Sequence, residues 1–266
     1  MAKIKFTNDS EYVNTNSNAD NLVYGLDGND TISAGAGSDT IYGGQGNDVL
    51  DGSGGDDKLY GGVDNDAGYG GGGNDTIYGG AGDDKFYGDA GHDLVKGGTG
   101  NDTLYGYNPD SSISYAYNDN DTLEGGKGND ALYGGPGQDS LKGGTGDDIL
   151  DGGTGNDTIK GGQGVDILSS GGGDDLFVWS KGDVTKTVGV DHLTDWATGD
   201  VMDMTSLLKT ITSDHAARVQ LTDVAGEGQM LSVMLSKGHG FVDVVMLDGQ
   251  HTLTVADLMN SHGLLI

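Results

Sequence analysis

Residues 152–168 read GGTGNDTIKGGQGVDIL. Two glycines, a spacer, a glycine, a spacer and an aspartate lead into one aliphatic residue, and the phrase then starts again. Gly-Gly-x-Gly allows positive φ and a tight turn whose carbonyls face inward. The aspartate closes that turn with a carboxylate. The x-aliphatic-x that follows is a short strand with only its middle side chain pointing inward. Turn, strand, turn, strand makes one coil, and stacked coils give two parallel sheets around a thin aliphatic interior. The fold class is therefore all-β.

Outward from this stretch, the nine-residue period tiles 25–105 and 116–178. The sixth position is Asp in every unit, which puts alternate turns into two stacks. One holds Asp30, Asp48, Asp66, Asp84, Asp102, Asp130, Asp148 and Asp166; the other holds Asp39, Asp57, Asp75, Asp93, Asp121, Asp139, Asp157 and Asp175. The fourth position is Gly except at Asp64 and Asp119, and the eighth is Ile, Leu, Val or Phe except at Gly68. A register this strict does not arise from low-complexity drift.

One buried aliphatic residue in nine cannot offset the conformational entropy of nine fixed backbones. Asp stacked on Asp adds repulsion. A cation that prefers oxygen must supply the difference. Calcium fits, because it accepts six to eight oxygens from carboxylates and carbonyls in irregular geometry, whereas magnesium demands strict octahedra and zinc favours His or Cys. The expected ligands are the stacked aspartates with the main-chain carbonyls of Gly44, Gly46, Gly80, Gly82, Gly98, Gly100, Gly126, Gly128, Gly144, Gly146, Gly153, Gly155, Gly162 and Gly164. If every gap between stacked turns fills, the roll takes up to about 14 ions.

Composition points the same way. Of 266 residues 53 are Gly and only two are Pro, and 42 acidic against 13 basic residues leave a net charge of −29. Such a polyanion repels nucleic acid and anionic membranes, and its natural counterparts are cations. The absence of Cys excludes disulfides and thiolate metal sites. No run approaches the length of a membrane span, and the start, MAKIKFTNDSEYVNTNSNAD, has no signal-peptide apolar core.

The pattern GGxGxDxUx, where U is aliphatic, resembles that of the repeats-in-toxin (RTX) family of secreted bacterial proteins. The resemblance implies a right-handed parallel β-roll with calcium between successive turns. It also implies export, unfolded, through a type I secretion channel, with folding on reaching calcium outside the cell. From Trp179 the text changes: FVWSKGD, RVQLTDV, MLSVMLS and FVDVVMLDGQHTL read as strands. GGGDDLFVW, VDHLTDWATGDVMDMTSLL and ADLMNSHGLLI resemble the C-terminal secretion domain of large RTX adhesins. The expected organisation is a lead-in over 1–20, the roll over 21–178 with a loop inserted at 106–115, and a β-rich cap with the secretion signal over 179–266. Asp191, Asp195, Asp200 and Asp203 are candidates for one more ion at the junction, against a reading as solvated loop carboxylates.

No catalytic constellation is visible. The histidines (His92, His192, His215, His239, His251, His262) form no HExxH, and no G-x-S-x-G occurs. His92 reads as solvated. Tyrosines at the ninth position (Tyr42, Tyr60, Tyr69, Tyr78, Tyr87, Tyr105, Tyr133) read as cover for the sheet surface, with a sugar-stacking stripe as the alternative. Thr99, Thr145 and Thr154 are too scattered for a flat ice-binding ladder. The unit 61–69, which lacks both Gly and aliphatic, is expected to have altered or weaker calcium sites. The resulting expectation is a non-enzymatic, monomeric, calcium-binding module. It folds after export by the type I secretion machinery, outside the cell or on its surface, and does not insert into membranes. It belongs to an adhesin or, alternatively, to a secreted protease, lipase or polysaccharide epimerase.

Overall fold

The computed structural model describes residues 2–5, 7–109, 119–180, 183, 191–195, 197 and 200–203, with the backbone of 219–224, 228–234, 241–247 and 264–265. Successive strands alternate between two sheets. One has twelve strands and the other thirteen, and within each sheet the neighbours along the roll pair in parallel. Thr40–Gln45 lies between Asn21–Asp27 and Lys58–Val63, and Val49–Gly54 lies between Thr31–Gly35 and Ala67–Gly72, so the same repeat position meets itself one coil away. No helix occurs among the described residues, so none there is long and apolar enough to cross a membrane.

The interior is a single file of eighth-position side chains on each sheet. Val23, Ile41, Leu59, Ile77, Val95, Leu123, Leu141 and Ile159 line one, and Ile32, Leu50, Phe86, Leu104, Leu132, Leu150 and Leu168 line the other, all at most 1% exposed. The one break, Gly68, is filled from the next coil. A β-carbon there would stand 2.8 Å from the Phe86 ring, which occupies the space an aliphatic residue would take.

The roll extends past both expected boundaries. Ala2–Lys5 pairs with Asn21–Asp27 and Tyr12–Ser17 with Thr31–Gly35, so the lead-in already contributes a coil. At the other end Asp191–Leu193 pairs with Ile167–Gly172, and Val201–Asp203 with Leu176–Val178, placing Leu193 and Met202 in the core. Beyond them Phe241–Leu247 and Leu264–Leu265 add parallel strands. An antiparallel run through Gly228–Met234 to Val219–Val224 completes the second sheet.

The inserted loop enters later than the sequence pattern indicates. Gly106 stands against Asp121 in the place that the first glycine of each unit holds against its own aspartate, and its N–H donates to the Tyr133 carbonyl at 2.9 Å. Tyr107 packs over Gly135 and meets Tyr105 edge-on. The extra chain therefore sits inside a turn, between Tyr107 and Asp119; the residues at 110–118 lie outside the described ones.

Candidate metal centre

Each sixth-position aspartate is buried, from 0% exposed at Asp166 to 4% at Asp121, and the turn folds the carboxylate back against the start of its own unit, Asp48 against Gly43 and Asp57 against Gly52. From Asp48 and Asp57 onward its Oδ1 accepts the main-chain N–H of the matching aspartate one coil earlier, while Asp30 and Asp39 accept those of Glu11 and Asn21. Asp48 receives Asp30 at 2.8 Å, Asp66 receives Asp48 at 2.8 Å, Asp84 receives Asp66 at 2.8 Å, and the other stack repeats this from Asp57 receiving Asp39 at 2.6 Å. The ladders step across the insertion without a break: Asp121 receives Asp93 and Asp130 receives Asp102, both at 2.8 Å.

The second oxygen is different. Oδ2 of every sixth-position aspartate except Asp121 is buried with no hydrogen-bond partner. An unpaired buried carboxylate oxygen is costly, and the protonation equilibria register it. Burial raises Asp66 to about 8, opposed by the N–H it receives and reinforced by the charges of Asp84 and Asp48. Burial likewise raises Asp93 and Asp148 to about 8 and Asp57, Asp102, Asp139 and Asp157 to about 7. Fifteen orphans in register are not accidents of packing.

The donor set fits calcium. A β-carbon on Gly43 would collide with Asp48 Oδ2 and lie 2.7 Å from the Gly61 carbonyl oxygen, so two acceptors with no donor between them share that space. The carbonyls of Gly44, Gly80, Gly82, Gly98, Gly100, Gly126, Gly128, Gly144, Gly146, Gly153 and Gly155 each aim at the α-carbon of the matching glycine one coil on, where a side chain would strike them. Gly44 and Gly80, at φ 126° and 122°, hold the conformation that turns them there. Among the described residues no three His, Cys, Asp or Glu side chains converge on a point. Main-chain carbonyls must therefore complete any ligand set, which suits a hard ion with many oxygen ligands and does not suit zinc.

The four junction aspartates do not gather at one place. Asp191 extends one ladder, its Oδ1 receiving the Asp166 N–H at 3.1 Å, and Asp200 extends the other, receiving the Asp175 N–H at 3.2 Å. Their second oxygens have protein donors: Trp179 Nε1–H gives to Asp191 Oδ2 at 2.7 Å and the Ala197 N–H to Asp200 Oδ2 at 2.7 Å. Asp195 accepts from the Ser169 hydroxyl at 2.8 Å and from the Ser170 and Gly171 N–H groups at 2.9 and 2.6 Å. The Asp203 carbonyl receives the Trp179 N–H at 2.9 Å.

The repeat pattern marks the fifth position only as a spacer, and a second ladder runs there. The Asn29, Asn47 and Asn65 side-chain carbonyls each accept the N–H of the residue one coil later, at 2.9, 3.0 and 2.9 Å, so this ladder runs opposite in sense to the aspartate ladder. Its signal in the sequence is the recurrent Gly-Asn-Asp and Gly-Asp-Asp phrases. His92 holds one rung: it is exposed, and its Nδ1 accepts the Asn120 N–H at 2.7 Å.

On the outer faces the tyrosines form two stacked columns. Tyr24, Tyr42, Tyr60 and Tyr78 lie on one sheet and Tyr69, Tyr87, Tyr105 and Tyr133 on the other, with ring centroids 4.7–5.1 Å apart. Ring faces packed on one another are closed to a sugar, which favours the reading as sheet cover. Thr99 pairs with Ala81 and Lys127, and Thr154 with Pro136 and Gly172, so neither threonine has a threonine neighbour.

A family model described as the RTX calcium-binding nonapeptide repeat matches at residues 15–50, 33–67, 42–77, 60–95, 87–108, 115–150 and 142–177, which together span more than half of the chain. No curated protein matches it.

Proposed function

The chain belongs to the RTX calcium-binding nonapeptide repeat family, and from that premise we propose that it is the folding and secretion region of an exported bacterial adhesin. Calcium is the ion these repeats bind; bound between turns, it supplies positive charge to oxygens that have no proton donor. Asp Oδ2 atoms and the carbonyls of the second and fourth glycines are the proposed ligands. One observation carries the reading: file after file of buried carboxylate oxygens lacks any donor. A chain of net charge −29 with such an interior is not compact without cations.

That dependence suits a polypeptide that must travel unfolded through a type I exporter and fold only outside, where calcium is plentiful. The segment from 179 serves as cap and secretion signal, and folding that starts there draws the roll outward as calcium binds. The role is non-enzymatic, the module is monomeric, and it acts in the medium or at the cell surface. The phrases GGGDDLFVW and ADLMNSHGLLI support the adhesin setting over that of a secreted enzyme.

Circular dichroism and hydrodynamic radius, measured in EGTA and again in millimolar calcium, test the folding half. An expanded coil that becomes a compact β protein is the expected result, and equal compactness in both refutes it. Co-expression with a type I exporter tests the other half: deletion of 179–266 is expected to abolish export.

A further inference from the structure

Two units replace the fourth-position glycine with aspartate, Asp64 in one stack and Asp119 in the other. Asp64 is exposed and Asp119 half-buried, and each carboxylate touches the turn before it. Asp64 Oδ2 accepts the Gly46 N–H at 3.2 Å, and Asp119 Oδ2 accepts the Gly91 N–H at 2.8 Å, so each reaches back into the gap shared with the preceding turn of its stack. The same two gaps already hold orphaned oxygens. Asp48 Oδ2, on a side chain 1% exposed, shares its space with the Gly61 carbonyl, and Asp93 Oδ2, 3% exposed, shares its space with the Gly106 carbonyl.

From this we infer that the Asp48–Asp66 and Asp93–Asp121 gaps are the tightest divalent-cation sites of the roll, each tightened by an additional carboxylate from Asp64 or Asp119. The inference rests on the calcium reading above and reverses the expectation that unit 61–69 binds weakly.

Charge arithmetic supports it. An ordinary turn contributes one sixth-position carboxylate, whereas each ion brings two positive charges. In these two gaps the fifth positions, Asn47 and Asn65 in one and His92 and Asn120 in the other, add no carboxylate, so Asp64 and Asp119 supply the missing one. Ligand charge is a principal determinant of calcium affinity in oxygen sites. Asp64 also sits at φ 79°, a conformation that glycine would hold without strain. A carboxylate held at a strained φ beside a buried oxygen without a donor is placed to ligate a cation.

The test begins with the full chain loaded with calcium. It is equilibrated with graded concentrations of a calcium chelator and desalted, and the retained calcium is counted by atomic emission. The expected curve has a plateau at about two ions per chain, held to chelator levels about tenfold above those that strip the rest. Asp64→Asn and Asp119→Asn should each remove one ion from the plateau, and the double variant should abolish it. Asp64→Gly and Asp119→Gly, which restore the repeat glycine and cannot impair the turn, should do the same. The charge-matched control Asp9→Asn, at an exposed position outside the repeat turns, should leave the plateau intact. Calcium retained without such a plateau, or a plateau that the variants leave in place, overturns the inference alone. No calcium retained at any chelator level overturns the calcium reading with it.

Discussion

Asp148 in the roll and Asp191 in its last coil hold equivalent places, yet their second oxygens meet different surroundings. Both side chains are buried, and both accept through Oδ1 an N–H from the coil before. Asp148 Oδ2 then has nothing, whereas Asp191 Oδ2 receives the indole N–H of Trp179. The reason lies in the turns. Around Asp48 the N–H groups of Gly46, Asn47, Asp48 and Val49 are already committed, to Val63 O, Asn29 Oδ1, Asp66 Oδ1 and Asp30 O. A repeating turn has no donor to spare, so a cation must serve. The last coil breaks the nine-residue spacing and brings in a buried tryptophan, and there the protein supplies the proton itself. Protein donors soften the cost of burial without removing it: burial and the charge of Asp166 still raise Asp191 to about 7, against the pull of Trp179.

The largest expected effect of that contrast is a difference in calcium demand. In a Trp196→Phe background, leaving Trp179 as the reporter, indole shielding should half-saturate at about tenfold less calcium than the far-ultraviolet β signal. Coincident curves, or the opposite order, would break the comparison.

Protons should substitute in part for calcium. Roll aspartates such as Asp48, Asp75, Asp66 and Asp148 have folded pKa values of about 6 to 8, against an unfolded value near 3.9. Between those limits the folded roll binds more protons than the unfolded chain, so its calcium-free stability falls as pH rises from 4 to 8, and the penalty is complete above 8. In EGTA, lowering the pH from 7.5 to 5 should therefore restore compactness, and in saturating calcium the same change should have the opposite sign. A calcium-free chain equally expanded at both pH values would count against the burial of these carboxylates.

Substitution separates the two regions more finely. Asp148→Asn should raise the calcium concentration needed for folding and have little effect once calcium saturates. Asp191→Asn sets an amide N–H2 against the Trp179 N–H, or else gives up the Asp166 contact, and should cost about 1–3 kcal/mol in denaturant titrations at saturating calcium. If Asp191→Asn instead shifts only the calcium midpoint, the last coil is an ordinary ion site.

How much of this was legible follows from distance along the chain. The nine-residue period carried the two sheets, the inward aliphatic file and both aspartate stacks, because each depends on residues nine or eighteen apart in strict register. Asp191 and Asp200 were visible only as acidic candidates, since the step from Asp175 to Asp191 breaks the count. Their partnership with Trp179 and Ala197 depends on where an irregular segment returns, which spacing does not encode. The fifth-position ladder hides behind a position that varies, although its Asn and Asp content is in plain view. The insertion is misplaced by the pattern because GYNPD follows a complete unit, so Gly106 looks like loop when it opens the next turn.

The smallest effect concerns another repair across one coil. Gly68 leaves a hole in the aliphatic file and Phe86, eighteen residues on, fills it. Phe86→Leu should then cost more than shortening a residue beside an intact neighbour, about 1–3 kcal/mol with calcium saturating, because the cavity opens toward Gly68 as well. Adding Gly68→Ala should cost less in the Phe86→Leu background than in the wild type, because the ring contact is relieved while the Leu50 carbonyl contact remains. In the wild type the same alanine should destabilise, since its methyl would meet the ring at 2.8 Å and the Leu50 carbonyl at 2.6 Å. The non-additivity is the informative result: additive costs would mean that Phe86 only happens to lie beside Gly68. Non-additivity would show that the roll repairs its apolar file by borrowing volume from the next coil, as its last coil borrows an indole proton for Asp191 Oδ2.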